Sequence, residues 1–227
     1  MLAIMKKELK NYFFSPIGYI VIGIFLAIFS LFFYITSVTV KSVDLTNLFY
    51  CAVMYGLMIM VPLLTMWSFA GERKSGTEQL ILTAPVSMLG VVIAKFISAF
   101  LLVLIPVIFT LMYFGILSYF QMPDVATYLT SALGFLLLSM SYISFGILAS
   151  SITESPIIAG ILTGGAVILS TWVPVYVEKL SSFSLMNLFI NFLYGKIDIT
   201  ATILFVTLTI LCILITMIIM QRRKSVK

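Results

Sequence analysis

Long apolar runs without a charged side chain constrain this sequence more than any other feature. The first run, Ile17 to Val40, holds about 24 uncharged residues, enough for a helix that crosses the ~30 Å hydrocarbon core of a bilayer. Only 9% of the chain is charged, whereas water-soluble domains carry about 25% charged residues. The sequence therefore excludes a soluble fold and predicts an all-α polytopic membrane protein.

Comparable apolar runs recur along the whole chain, separated by short polar segments. We expect one transmembrane domain, residues 1–227, that contains six membrane-spanning helices. No cleavable signal peptide is expected, because the first apolar run is too long for one. The predicted spans are 17–40, 48–69, 91–119, 128–150, 157–177 and 201–220.

Two further segments are predicted to lie at the membrane surface. In residues 2–14, Leu2, Met5 and Leu9 recur at helical spacing, opposite a polar face, which is typical of an interfacial amphipathic helix. The charged residues of that polar face are Lys6, Lys7, Glu8 and Lys10. A basic anchor with no further role is the alternative. Residues 180–198 are apolar but interrupted, and they suit a re-entrant or interfacial external segment.

The distribution of basic residues predicts the topology. With six spans and a cytoplasmic N-terminus, ten of the 13 basic residues lie inside. The three outside are Lys41, Lys179 and Lys196. This bias follows the positive-inside rule, so both termini are expected in the cytoplasm of a cell-membrane protein.

The sequence lacks the residue patterns that disulfide frameworks, metal sites and nucleotide-binding sites require. There is no His, and Cys51 and Cys212 lie inside apolar runs, so neither a disulfide framework nor a metal site is expected. Within the spans the only ionisable group is Lys95, which is predicted to snorkel from the inner end of the third span. The phosphate-loop pattern GxxxxGK[ST] is absent. We therefore expect no catalytic residue, no cofactor, no nucleic-acid partner and no enzyme activity.

Residues 72–87, ERKSGTEQLILTAPVS, form a charged loop between the second and third spans. Gly76 and Thr77 can break the chain, and Thr77 can cap a short helix whose first residue, Glu78, suits the positive end of the helix dipole. The helix is predicted to present an apolar patch within a charged rim and to end at Pro85. The patch is Leu80, Ile81 and Leu82, and the rim is Glu72, Arg73 and Lys74. A solvated loop that only sets topology is the alternative.

The charged loop, followed by Lys95, resembles the cytoplasmic loop of type-2 ABC exporter permeases, which has the pattern E-R-(K/E)-x-G-T. The likeness extends to the N-terminal residues Lys6 to Pro16 and to Tyr194–Asp198, and it is closest to the short gliding-motility-type permeases. The resemblance implies that the loop contains a coupling helix and that residues 2–14 form an elbow helix. It also implies a homodimer or heterodimer with a second permease subunit, two copies of a separate ABC ATPase, and membrane lipids as surroundings.

Two groups of residues in the spans are weaker candidates. Met54, Tyr55, Met58 and Pro62 could line a translocation path, and Gly160, Gly164 and Gly165 form a GxxxG-type pattern that suits a dimer face. Ordinary helix packing is the default explanation of both groups. A permease of another ABC class, similar to the haem exporters, and a non-ABC channel or assembly factor remain alternative functions.

Overall fold

A computed structural model describes residues 2–40, 42–83, 86–172 and 184–226 of the chain. Of these residues 86% are helical, and none of them forms a strand. The α-helices are α1 Leu2–Phe14, α2 Pro16–Phe33, α3 Thr46–Cys51, α4 Met58–Thr65, α5 Ala70–Lys74, α6 Glu78–Thr83, α7 Met88–Phe120, α8 Val125–Ile152, α9 Pro156–Thr171, α10 Leu185–Leu193 and α11 Ile199–Val226. Two π-helical segments, Tyr34–Thr39 and Ala52–Leu57, continue α2 and join α3 to α4.

Five helical stretches in the described part of the chain are long and apolar enough to cross a membrane. The protein is therefore a multi-pass helical membrane protein. The stretches are Gly18–Thr39, Thr46–Lys74, Met88–Phe120, Val125–Ile152 and Ile199–Ser225, and they overlap the first four predicted spans and the last.

The predicted fifth span, 157–177, does not reach spanning length within the described residues. It contains α9, which has 16 residues, whereas a span needs about 17–25. Residues 173–177 lie outside the described ranges. A sixth crossing of the membrane stays a prediction.

Helix α8 lies at the centre of the bundle and contacts α4, α7, α9, α10 and α11. Its fully buried Phe135 ring has centroid distances of 5.7 Å to Phe25, 6.1 Å to Phe29 and 6.1 Å to Phe49. These rings come from α2, α3 and α8, so one aromatic cluster holds the first, second and fourth membrane helices together. Aromatic pairs at such separations stabilise a core by about 0.5–1.5 kcal/mol beyond the area they bury.

Helix α10 falls within the segment 180–198 that was predicted to be re-entrant or interfacial. It has nine residues, too few to span a bilayer. Its Phe192 packs against Gly134 of α8, where a Cβ atom would lie 2.6 Å from the Phe192 side chain. Residues 180–183 lie outside the described ranges, and the location of α10 at a membrane surface stays a prediction.

Candidate functional site

The charged loop folds as two short helices joined by a turn. Helix α5 ends at Lys74, residues 75–77 turn, and α6 begins at Glu78. Gly76 has φ = 73°, a left-handed conformation that glycine adopts without steric strain. The Thr77 hydroxyl, predicted as a helix cap, donates back to the Glu72 carbonyl at 3.3 Å. Pro85 lies outside the described residues.

A buried ammonium group lies directly behind this loop. Lys95 of α7 is 2% exposed, and its Nζ is 3.0 Å from Glu8 Oε1 and 3.0 Å from Glu72 Oε2. It also donates to the Ser68 carbonyl at 2.8 Å and lies 5.0 Å from the centre of the Phe69 ring. Lys95 is thus enclosed between two carboxylates of its own chain, and its depth relative to the membrane interface stays a prediction.

Glu8 was predicted on the polar outer face of the amphipathic helix, and the structure corrects this. Its side chain points to Lys95 and is buried, whereas Lys6, Lys7 and Lys10 are exposed. Lys7 Nζ lies 3.4 Å from Glu72 Oε1, and Lys10 Nζ lies 5.1 Å from the centre of the Phe14 ring. We call Lys7, Glu8, Glu72 and Lys95 the Lys95 cluster. Its two positive and two negative charges join α1, the charged loop and α7.

Two more features complete the contact between α1 and the neighbouring helices. The Tyr12 hydroxyl donates to the Leu64 carbonyl at 2.9 Å, which ties α1 to the end of α4. Burial and the nearby carboxylates of Glu8 and Glu72 raise the pKa of Tyr12, so its hydroxyl keeps the proton that it donates. A cavity of about 210 Å³, lined by Glu8, Glu72 and Lys95, lies beside them.

A second ionic group closes the turn at Gly76. Arg73 Nε and Nη2 donate to the two carboxylate oxygens of Glu78, each at 3.0 Å, in the bidentate geometry that strengthens such pairs. Arg73 also donates to the carbonyl of Ser151, in the last turn of α8, and to that of Thr153, just after the helix. Arg223 Nη1 of α11 lies 3.9 Å from Glu78 Oε1. We call Arg73, Glu78 and Arg223 the Arg73 cluster.

The predicted arrangement of an apolar patch inside an exposed charged rim is therefore wrong in part. Glu72 and Arg73 are mostly enclosed by their ion pairs, and of the three predicted rim residues only Lys74 is exposed. Within the patch, Leu80 is 72% exposed, Ile81 is half-buried and Leu82 is 6% exposed. The surface that α6 offers to solvent thus consists of Leu80 with polar neighbours. These neighbours are Lys74, Thr77, Gln79 and Thr83.

Ser150 of α8 is a site residue that the sequence did not indicate. Its fully buried Oγ accepts from the backbone N–H groups of Phe69 and Ala70, each at 3.0 Å, and lies 3.3 Å from the Met66 carbonyl. It therefore satisfies backbone groups at the start of α5 that have no partner within the helix. A serine in an apolar helix gives no sequence signal for this role, since packing alone also favours small residues there.

The candidate path and dimer residues occupy different environments. Met54 is buried, Met58 and Pro62 are half-buried, and Tyr55 is exposed and stacks on Phe32 at 5.7 Å. A Cβ atom on Gly160 or Gly164 would lie 3.5 Å from Met66 Sδ or 3.4 Å from Pro62 Cγ. Both glycines thus pack α9 on the second membrane stretch of the same chain. Gly165 faces open space, with nothing within 4 Å. A role in a path or a dimer stays a prediction.

The described ranges hold no group of three or more His, Cys, Asp or Glu side chains that could bind a metal ion together. Cys51 and Cys212 are free thiols. A comparison with models of known protein families found no match, and neither did a comparison with curated proteins. The Lys95 and Arg73 clusters each join elements that are distant in sequence.

Proposed function

We propose that this protein is the membrane-spanning permease subunit of an ABC exporter in the cell membrane, with six spans and both termini in the cytoplasm. In this proposal a separate ATPase subunit supplies the energy and docks on the charged loop, and no covalent chemistry occurs in the permease. The ordered motif of residues 72–87 and its resemblance to type-2 exporter permeases support the proposal.

The observation that carries the proposal is that Leu80 is exposed while the loop around it is held in place by ion pairs and hydrogen bonds. Leu80 is exposed on α6. The loop beneath it is bound to the bundle by the ion pair of Glu72 with Lys95 and by the hydrogen bonds of Arg73 to the Ser151 and Thr153 carbonyls. An exposed apolar side chain among polar neighbours suits the centre of a protein contact. Because charged groups in the interior resist separation, a push on α6 passes to α1, α7 and α8.

Dimer formation and lipid contact are further parts of the proposal. Along Gly18–Thr39 a smaller share of residues is buried than along the stretches at 46–74, 88–120 and 125–152. This apolar surface suits lipid acyl chains and a second permease subunit, identical or related. The translocation path would then run between the two subunits.

Site-specific photocrosslinking tests the docking site. A photoreactive benzoylphenylalanine replaces Leu80 in the full chain in its native membrane, and a matched variant carries it at Tyr119, which is exposed at the opposite end of α7. We expect irradiation to attach an ATP-binding subunit at position 80 and not at 119, detected by mass spectrometry and by labelling with azido-ATP.

Other outcomes of this crosslinking experiment would contradict the proposal. Crosslinks to an ATPase at both positions, or at neither, would contradict docking on α6. Ion conductance of the purified chain in planar bilayers, without any crosslinked ATPase, would favour the channel alternative.

A further inference from the structure

A large cavity lies at the end of the bundle remote from the Lys95 cluster. Its volume is about 770 Å³, within the ~300–1,000 Å³ of typical small-molecule sites. Three segments form its walls: the residues just before and at the start of α3, the turn between α7 and α8, and the end of α10. The cavity shares no lining residue with the 210 Å³ cavity at the Lys95 cluster.

The charged residues that line this cavity are all acidic. Asp44 and Asp124 line it, and among its lining residues there is no Lys or Arg. No ion pair reaches either carboxylate within the described part of the chain. Each is held by neutral donors: Asp44 accepts from the Thr46 N–H at 2.9 Å and from its hydroxyl at 2.6 Å, and Asp124 accepts from Thr127 and Ala126.

Asp124 keeps its negative charge at neutral pH. Hydrogen bonds from the Thr127 hydroxyl and the Ala126 backbone N–H hold the pKa of Asp124 below its usual range. Neutral donors orient a carboxylate without cancelling its charge. The cavity therefore offers a negative potential to any ligand that enters it.

Most of the remaining wall is aromatic and apolar, and its polar members are Thr46, Asn47 and Thr127. Tyr50, Tyr128 and Tyr194 line the cavity together with Ile190 and Leu193. Aromatic rings attract cations through the negative potential of their faces, and this is the usual means by which proteins bind quaternary ammonium groups. Carboxylates beside such rings and an apolar wall select a ligand that is both cationic and hydrophobic.

We propose that this cavity is a binding site for a lipophilic organic cation, with Asp44 and Asp124 as its charge partners and the tyrosines and Leu193 as its apolar wall. The site does not depend on docking of an ATPase at the charged loop. Binding is therefore measured on the purified permease chain alone, and its failure would leave the coupling proposal untouched.

Tetraphenylphosphonium is the probe, and tetraphenylborate is its control, because the two ions match in size and shape and differ in the sign of their charge. The full chain is placed in nanodiscs, and binding is measured by equilibrium dialysis with empty nanodiscs subtracted. We expect saturable binding of the phosphonium ion, weakened by added salt, and no saturable binding of the borate ion.

The variants Asp44→Asn and Asp124→Asn remove each charge and retain one side-chain oxygen that can still accept a backbone N–H bond at the start of the helix. Each is expected to weaken phosphonium binding about fivefold or more, and the double variant more. Asp198→Asn is the matched control, since Asp198 likewise accepts from backbone N–H groups at the start of a helix but does not line the cavity. Tyr194→Ala removes an exposed ring at the end of α10 and leaves the backbone N–H that bonds to the helix, and it is expected to weaken binding as well.

The outcomes are distinct. Equal binding of both ions, unchanged binding in Asp44→Asn and Asp124→Asn, or an equal loss in Asp198→Asn would each overturn the proposal. If the Asp variants lose their fold, as seen in thermal unfolding, Tyr194→Ala decides: binding as in the unmodified chain would overturn the site, and a loss would support it.

Discussion

Glu8 and Lys95 are 87 residues apart in the chain, yet Glu8 Oε1 and Lys95 Nζ lie 3.0 Å apart in the interior. The pair joins an amphipathic helix to a membrane-spanning helix, and Glu72 of the charged loop forms a second ion pair with the same lysine. Since each carboxylate is mostly enclosed, neither can be stabilised by water if the lysine is removed.

Lys95→Met is expected to destabilise the protein by about 3–5 kcal/mol, because it leaves Glu8 and Glu72 without their buried partner. Thermal unfolding of the purified protein, followed by the reaction of the buried Cys212 with a thiol-reactive dye, measures the loss. Lys10→Met removes an exposed lysine from the amphipathic helix and is expected to change stability by no more than about 0.5 kcal/mol.

The charge origin of that loss can be separated from packing. Adding Glu8→Gln to Lys95→Met removes the carboxylate that loses its ion pair, whereas Glu72 keeps its contact with Lys7, so part of the stability should return. Equal unfolding temperatures for Lys95→Met and Lys10→Met would show that Lys95 is solvated.

Ser150→Ala is expected to cost about 1–3 kcal/mol, because it leaves the buried N–H groups of Phe69 and Ala70 without an acceptor. The same thermal unfolding assay measures it. Ser139→Ala is the control: Ser139 is equally buried in α8, but its hydroxyl bonds only to the Phe135 carbonyl of its own helix. Similar losses in the two variants would mean that Ser150 does not cap α5.

Gly146→Ala is expected to destabilise the bundle by about 1–3 kcal/mol through overpacking. An added Cβ would lie 2.8 Å from Thr65 Cβ and 2.9 Å from Thr163 Cγ2, where α4, α8 and α9 meet. Gly160→Ala, within the GxxxG-type pattern, meets only ordinary contacts with Met66 and should be tolerated. Thermal unfolding of the two variants in parallel checks the order, and a larger loss in Gly160→Ala would contradict it.

Gly76→Ala is expected to loosen the charged loop, because a left-handed residue with a side chain is less favourable by roughly 1–2 kcal/mol. Limited trypsin digestion should cut faster after Lys74, as seen by the rate of appearance of the two fragments. Gly115→Ala places its methyl group in open space within α7 and is expected to leave the cleavage rate unchanged. Unchanged cleavage in Gly76→Ala would show that the turn tolerates a side chain.

The membrane stretches could be predicted from the sequence because lipid imposes one strong rule: about 20 consecutive residues must be apolar. This rule indicated four runs that begin close to Gly18, Thr46, Met88 and Val125, and a last one near Ile199. The predicted fifth span, 157–177, stays a prediction, because α9 ends at Thr171 and residues 173–177 lie outside the described ranges.

The candidate site was less accessible to sequence reasoning. Helical spacing distinguishes the polar from the apolar face within one helix. It placed Glu8 on the polar face because the pattern contains no information about Lys95, 87 residues away. The same limit applies to Glu72 and Glu78, which pair inward. One signal was present: Lys95 is a lone charge in an apolar run, and a buried lysine requires carboxylates. Those carboxylates had to come from the polar segments beside the same end of the bundle.

The separation of Glu8 from Lys95 also determines the order in which these ion pairs can form while the chain is being synthesised. At about 5–20 residues per second, a ribosome needs roughly 4–17 s to make the 87 residues between them. Until Lys95 is made, Glu8 has no ion-pair partner within the described part of the chain, whereas Lys7 can pair with Glu72 once residue 72 is made. Insertion of α7 brings the ammonium group, and Arg223 reaches Glu78 only after α11 has been made. The ion pairs that hold the charged loop are therefore completed in the order of synthesis, that with α7 before that with α11.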